Sequence, residues 1–94
     1  MTYTKEYIEE IHRVTDRLDQ GVIEQMIQLL VDVREKGGRL FFLGVGGGAG
    51  NATHAVNDFR KICGIESYTP TDNISELSAR INDDGWDSAF ANSL

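Results

Sequence analysis

The sequence predicts an α/β fold with a parallel sheet, preceded by two amphipathic helices. Segments of helical periodicity alternate with short apolar runs, and this alternation is typical of right-handed βαβ units. An apolar run at 40–43 leads directly into a glycine-rich segment at 44–50, and a helical pattern follows. We therefore expect a strand, a glycine turn and a helix in this order, which is an arrangement that forms ligand sites in α/β domains.

Two helices are predicted before the first strand, because apolar residues recur at the spacing of one helix face. They are Tyr7, Ile8, Ile11, Val14 and Leu18 in the first helix, and Val22, Ile23, Met26, Ile27, Leu30 and Val33 in the second. Lysine and glycine at 36–38 suit the end of the second helix. We therefore assign 1–38 to an N-terminal helical pair and 39–94 to the α/β part.

The second helix carries apolar groups on more than one side, Leu29 and Val31 among them. Such a helix is usually buried on more than one side. A chain of 94 residues has only a small core of its own. We therefore expect a second subunit to cover part of this helix.

The segments predicted after residue 38 alternate between strand and helix. They are a strand at 39–45, a helix at 50–62, a weak strand at 65–69, a helix capped by Asp72 or Asn73, a turn at 82–85 and the first turns of another helix from Trp86. Glu76 stands three residues after Asn73, which is capping-box spacing. Because two parallel strands make a poor sheet, we expect this segment to be the first half of a layered domain.

Composition and charge argue against several classes of protein. The formal net charge of −6 argues against a nucleic-acid or anionic-membrane partner. No stretch approaches the roughly 18 apolar residues of a membrane span, and the N-terminus lacks the apolar core of a signal peptide. The single cysteine, Cys63, rules out a disulfide within the chain and is expected to be a small buried residue. We expect a soluble cytoplasmic protein.

Five of the seven residues at 44–50 are glycine, so this segment cannot build a core. Glycine lets the backbone approach a ligand closely and adopt positive φ. Amide groups at the N-terminus of the following helix favour an anion, commonly a phosphate. We expect the amides of Gly46 to Gly50 to hold such a group.

Two other interpretations of these glycines stay open. Gly44 to Ala49 fits the G-x-G-x-x-A pattern of dinucleotide-binding folds, and Glu66 lies 20 residues beyond Gly46, where a ribose-binding acid is expected. The two preceding helices argue against it, because this pattern normally belongs to the first strand of its domain. Alternatively, the glycines only permit close packing of helix and strand. A P-loop is excluded because no Gly-Lys-Ser/Thr follows.

A family resemblance rests on three features in order. These are the block 37–54 (Gly-Gly-Arg-Leu-Phe-Phe-Leu-Gly-Val-Gly-Gly-Gly-Ala-Gly-Asn-Ala-Thr-His), the helix that opens at Asp72, and Asn82-Asp83-Asp84-Gly85-Trp86. Together they resemble the SIS (sugar isomerase) domain and, more narrowly, its phosphoheptose (sedoheptulose 7-phosphate) isomerase branch. The resemblance covers nearly all of the chain. It implies the three-layer parallel-sheet SIS fold, which is flavodoxin- or Rossmann-like, with this chain as its N-terminal half.

The resemblance also implies roles for individual residues. Val45, Gly46 and Gly47 match loop positions whose backbone contacts the substrate, and Gly48 matches a serine that binds phosphate. Asn82 and Asp83 match a pair that touches the sugar. His54 matches a histidine that ligates zinc in many members, and it is the candidate catalytic residue. Members of this branch are commonly homodimers or homotetramers packed through their N-terminal helices.

The departures from the family pattern bear on activity. Val45 and Gly48 replace the loop asparagine and serine, so two side-chain contacts to the ligand are lost. Asn57 is counted among the expected substrate-binding residues. At this position the isomerases carry a glutamate that ligates metal and transfers the proton. A neutral amide cannot act as that base. Two functions therefore stay open: an aldose–ketose isomerase acting on a phosphorylated sugar, and a non-catalytic module that binds a sugar phosphate or a partner protein.

Overall fold

The computed structural model describes residues 2–94, which form five helices and two strands. The elements in chain order are α1 (Tyr3–Asp16), α2 (Gln20–Glu35), β1 (Arg39–Phe41), α3 (Gly47–Lys61), β2 (Glu66–Tyr68), α4 (Ile74–Asp84) and α5 (Ala89–Ser93). Most of the described chain is therefore helical. None of these helices has the length and apolar character that crossing a membrane requires.

The predicted three-layer parallel-sheet fold of SIS type is wrong for residues 2–94. The two strands are parallel and adjacent, with Arg39 opposite Glu66 and Phe41 opposite Tyr68, but each has only three residues. A layered α/β fold needs a wider sheet with helices on both faces. The described residues form a mostly helical structure with one short strand pair.

The strand pair is short because β2 ends early. The amide of Phe42 still donates to the carbonyl of Tyr68 at 2.9 Å. The next residues of the second strand, Thr69 and Pro70, turn away, and proline has no amide to donate to a ladder. The apolar run of the first strand therefore continues to Leu43 without a partner, and the side chain of Leu43 is 54% exposed.

Polar side chains cap three of the helices. Thr2 accepts a hydrogen bond from the amide of Lys5 at the start of α1, and Asp19 accepts one from the amide of Val22 at the start of α2. Asn73 accepts one from the amide of Glu76 at 3.1 Å. Asn73, rather than Asp72, is therefore the cap of α4.

The chain divides into two compact units, Met1–Leu30 and Val31–Leu94. The division falls inside α2, before the boundary predicted at residue 38. In the first unit, α1 contains no buried residue. The large apolar side chains of α1 and of the first part of α2 are exposed to solvent.

The buried residues of the second unit lie on α3, on and beside β2, and on α5. They are Ala52, Val56, Ile65, Ser67, Thr69 and Ala89. Arg60 of α3 donates from Nε to the carbonyl of Ser67 at 2.7 Å, and its guanidinium lies 5.0 Å from the centre of the Tyr68 ring. Phe42 and Phe59 are in contact, with ring centres 5.2 Å apart. The Arg60 contacts hold β2 against α3, and the contact of Phe42 with Phe59 holds the segment after β1 against the same helix. Cys63 is a half-buried free thiol.

Candidate functional site

The glycine turn connects β1 to α3. The loop runs from Phe42 to Gly46, and the helix begins at Gly47, three residues earlier than predicted. Gly46 is the N-cap, with φ +59° and ψ −122°. This conformation is strained for any residue with a side chain. Three glycines therefore belong to the first turn of the helix rather than to the loop.

The amides of the turn fall into two groups. Gly48 donates to the carbonyl of Val45 at 3.0 Å, and Ala49 and Gly50 donate to the carbonyl of Gly46 at 3.0 and 3.4 Å. Within residues 2–94, the amides of Gly46 and Gly47 donate no hydrogen bond. The predicted row of free amides from Gly46 to Gly50 is therefore reduced to two at the helix N-terminus.

The glycines themselves separate into two kinds. A Cβ on Gly44 would lie 2.2 Å from the carbonyl oxygen of Gly48, so close packing of backbone on backbone requires glycine there. Gly46 is required by its positive φ. A Cβ on Gly47, Gly48 or Gly50 would meet nothing within 4 Å. Close packing and backbone conformation therefore explain the glycines at 44 and 46. The glycines at 47, 48 and 50 leave an open and uncrowded backbone surface.

His54 lies on α3, seven residues after Gly47. At 1.5 Å and 100° per residue, this places it about 10 Å along the axis and on nearly the same face. Its Nε2 is 3.1 Å from Oδ2 of Asp58, one turn further along, and its side chain is 76% exposed. Asn57 is exposed on the same helix.

The donors around His54 do not by themselves fit a zinc ion. Nowhere in the described chain do three or more histidine, cysteine or acidic side chains gather in a way that would hold a metal. A catalytic zinc takes three protein ligands, and His54 with Asp58 supplies two. The zinc-ligand role of His54 stays a prediction from the family resemblance.

Asn82 and Asp83 lie in the last turn of α4 rather than in the predicted turn, which is reduced to Gly85 with φ +89°. Both are exposed, and Nδ2 of Asn82 donates to Oδ1 of Asp83 at 3.1 Å. The two side chains therefore lie together at the surface, joined by a hydrogen bond. Their contact with a sugar stays a prediction.

The segment after α4 places different residues beside the glycine turn. Val45, Trp86, Asp87 and Phe90 line one cavity of about 340 Å³. The rings of Trp86 and Phe90 meet edge to face, with centres 5.4 Å apart, and the Trp86 side chain is half exposed. The sequence shows two aromatic residues four apart, but only the tertiary structure brings them to the turn.

A second cavity, of about 290 Å³, is lined by residues of both strands. Arg39, Phe41, Tyr68, Thr69 and Asp72 are among its lining residues. The hydrogen bond from the Tyr68 hydroxyl to the Glu66 carboxylate raises the pKa of Tyr68, with further contributions from desolvation and the Glu66 charge. None of the glycines of the turn lines this cavity.

The position of Glu66 argues against a dinucleotide site. Glu66 is the first residue of β2 and lies opposite Arg39, the first residue of β1. In parallel strands both residues are therefore at the amino edge, whereas the glycine turn leaves the carboxyl edge. A ribose-binding acid must lie at the carboxyl edge, beside the turn. The Glu66 carboxylate also accepts a hydrogen bond from the Tyr68 hydroxyl.

Comparisons with protein-family models, with curated proteins and with solved structures find no match to this chain.

Proposed function

We propose that the turn at 44–50 binds the phosphate group of a phosphorylated sugar. One observation carries the proposal: the amides of Gly46 and Gly47 have no acceptor among residues 2–94, and they lie at the N-terminus of a helix of 15 residues. The partial positive charge of that helix end favours an anion. Gly47, Gly48 and Gly50 add no side chain beside these amides, and the space that a Cβ would occupy at each of them is open.

The neighbouring cavity supports a ligand larger than phosphate. At about 340 Å³, it lies within the range of small-molecule sites. Trp86 and Phe90 offer an apolar surface to the carbon face of a sugar, and Asp87 offers an acceptor for its hydroxyl groups. A phosphorylated sugar such as sedoheptulose 7-phosphate combines the anion and the polyol that such a site would recognise.

Binding without turnover is the function that we favour. An aldose–ketose isomerase needs a base that moves a proton between adjacent carbons. Asn57 presents an amide where the resemblance places the catalytic glutamate. The Asp58 carboxylate contacts the His54 imidazole, so it is not free to act as the base. We therefore infer a regulatory or sugar-phosphate-binding role.

The second candidate is the isomerase itself, and the His54–Asp58 pair favours it. A carboxylate that holds an imidazole is a common acid–base arrangement. The pair lies about 10 Å along α3 from Gly47 and on nearly the same face of the helix. His54 would then exchange the proton.

Calorimetry on two Gly48 variants tests binding. We expect sedoheptulose 7-phosphate to bind the wild type and sedoheptulose to bind at least tenfold more weakly. Gly48→Asp places a carboxylate in open space beside the amides, so we expect at least a tenfold loss through charge repulsion. Gly48→Ala is the matched control and should stay within threefold. Equal affinity of the two sugars, or equal loss in both variants, would contradict the proposal.

A turnover assay separates the two candidate functions. We expect no aldose product from sedoheptulose 7-phosphate, with or without zinc, and product from an Asn57→Glu variant. Product from the wild type that disappears in His54→Gln would select the isomerase instead.

A further inference from the structure

The cavity lined by both strands has no part in the binding of a sugar phosphate at the glycine turn. Its volume of about 290 Å³ is close to the lower end of the range for small-molecule sites. Two aromatic rings, a guanidinium and a carboxylate line it, and they belong to Phe41, Tyr68, Arg39 and Asp72. All four residues are exposed, so a ligand can reach them from solvent.

Phe41 and Tyr68 form an aromatic surface on one face of the strand pair. The two residues lie opposite each other in the strand register, with ring centres 5.9 Å apart and ring planes inclined by 30°. Phe41 is 40% exposed and Tyr68 is 37% exposed. Aromatic rings that are partly exposed in this way give a flat ring of a ligand a surface on which to stack.

The guanidinium and one carboxylate of the cavity have no hydrogen-bonded or ionic partner among residues 2–94. The Arg39 guanidinium lies 5.3 Å from the centre of the Phe41 ring but donates no hydrogen bond. The Asp72 carboxylate accepts none. Glu76, which also lines the cavity, differs because its carboxylate accepts two hydrogen bonds from Arg80. Arg39 can therefore receive an anion, and Asp72 can accept from N–H groups of a ligand.

These groups follow a fixed order along the strands. Arg39 begins β1, and Phe41 and Tyr68 end the two strands. Asp72 comes after the turn that follows β2, where its amide donates to the carbonyl of Thr69 at 3.5 Å. Arg39 is therefore on the amino side of the aromatic pair, and Asp72 follows its carboxyl side. A ligand that uses both must carry its anion and its N–H donors at opposite ends of a flat body, which a free amino acid does not.

We propose that this cavity binds a guanine nucleotide, with the base stacked on Phe41 and Tyr68. The phosphate binds the Arg39 guanidinium, whose fork of N–H groups suits phosphate oxygens. The N1–H and N2–H groups of guanine are two donors on one edge, and they donate to the two carboxylate oxygens of Asp72. Adenine presents an acceptor, N1, on the corresponding edge, so a carboxylate disfavours it. None of these contacts depends on the glycine turn.

Calorimetry with different ligands tests the class of nucleotide. We expect GMP to bind the wild type at micromolar concentration, and AMP, guanosine and inorganic phosphate to bind at least tenfold more weakly. An excess of sedoheptulose 7-phosphate should not displace GMP, because the glycine turn is a separate site. Absence of GMP binding at millimolar concentration, equal affinity for AMP, or displacement by the sugar phosphate would overturn the proposal.

Two conservative variants test the role of each charged side chain through selectivity. In Arg39→Gln, GMP and guanosine should bind within threefold of each other, because the contact with phosphate is lost. In Asp72→Asn, GMP and AMP should bind within threefold of each other, because an amide both donates and accepts. Far-UV circular dichroism checks that the helix content of both variants equals that of the wild type.

The matched controls are Lys36→Gln and Asp84→Asn, which remove the same charges from exposed residues outside the cavity. Both controls should keep the wild-type preferences for GMP over guanosine and over AMP. Wild-type preferences in Arg39→Gln or Asp72→Asn, or the same loss of preference in their controls, would show that the nucleotide does not bind in this cavity.

Discussion

Gly44 is the residue on which the shape of the turn depends most directly. The hydrogen it carries in place of Cβ lets the loop pass against the backbone of Gly48, where a methyl group would lie 2.2 Å from a carbonyl oxygen. A rigid backbone cannot yield as a flexible side chain can. Glycine is therefore needed here for packing, independently of any ligand.

We expect Gly44→Ala to destabilise the protein by roughly 1–3 kcal/mol, because the methyl group forces the turn apart. Gly50→Ala is the control, since its Cβ meets nothing within 4 Å and alanine favours the helix by up to about 1 kcal/mol. Urea unfolding followed by circular dichroism gives both values. Equal stability of the two variants would show that the backbone contact is not formed.

Among the elements, α3 and β2 are joined by one side chain that makes two different contacts. Arg60 both donates to the carbonyl of Ser67 at 2.7 Å and lies over the Tyr68 ring. A hydrogen bond from a charged donor and a cation–π contact each stabilise by about 1 kcal/mol or more when partly shielded from water. This contact positions the helix that carries the candidate site.

We expect Arg60→Ala to lower the free energy of unfolding by about 1–2 kcal/mol. Lys61→Ala is the neighbouring control on the exposed side and should stay within about 0.5 kcal/mol. The measurement is again urea unfolding at neutral pH. Similar losses in the two variants would mean that Arg60 stabilises the protein only through its positive charge and not through its contacts with Ser67 and Tyr68.

Periodicity predicted some elements well and others poorly. The helices α1, α2 and α4 and the Asn73 cap could be predicted, because each depends on residues that are neighbours in the sequence. The strand length could not, because the apolar run to Leu43 does not reveal that Pro70 ends its partner. The early start of α3 could not be predicted either, since three glycines oppose helix by propensity, whereas the hydrogen bonds of the Gly48, Ala49 and Gly50 amides form only in the folded turn.

At the scale of the whole molecule, the candidate site combines one local and one tertiary feature. The glycine turn between β1 and α3 could be predicted from its glycines, although only two of the five amides expected to be free are free. Trp86 beside Val45 could not be predicted, because 41 residues separate them and the contact depends on how α4 and α5 fold back. His54, Asn82 and Asp83 remain exposed candidates whose roles depend on the ligand.

In our proposal, the amides of Gly46 and Gly47 receive the phosphate of a sugar phosphate. The most direct measurement is a titration of uniformly ¹⁵N-labelled protein with sedoheptulose 7-phosphate, followed amide by amide. We predict saturable downfield shifts at Gly46 and Gly47, a smaller change at the Trp86 indole, and none at Glu66. If the Gly46 and Gly47 resonances stay unchanged at millimolar ligand, or if the shifts centre elsewhere, the phosphate does not bind at this turn.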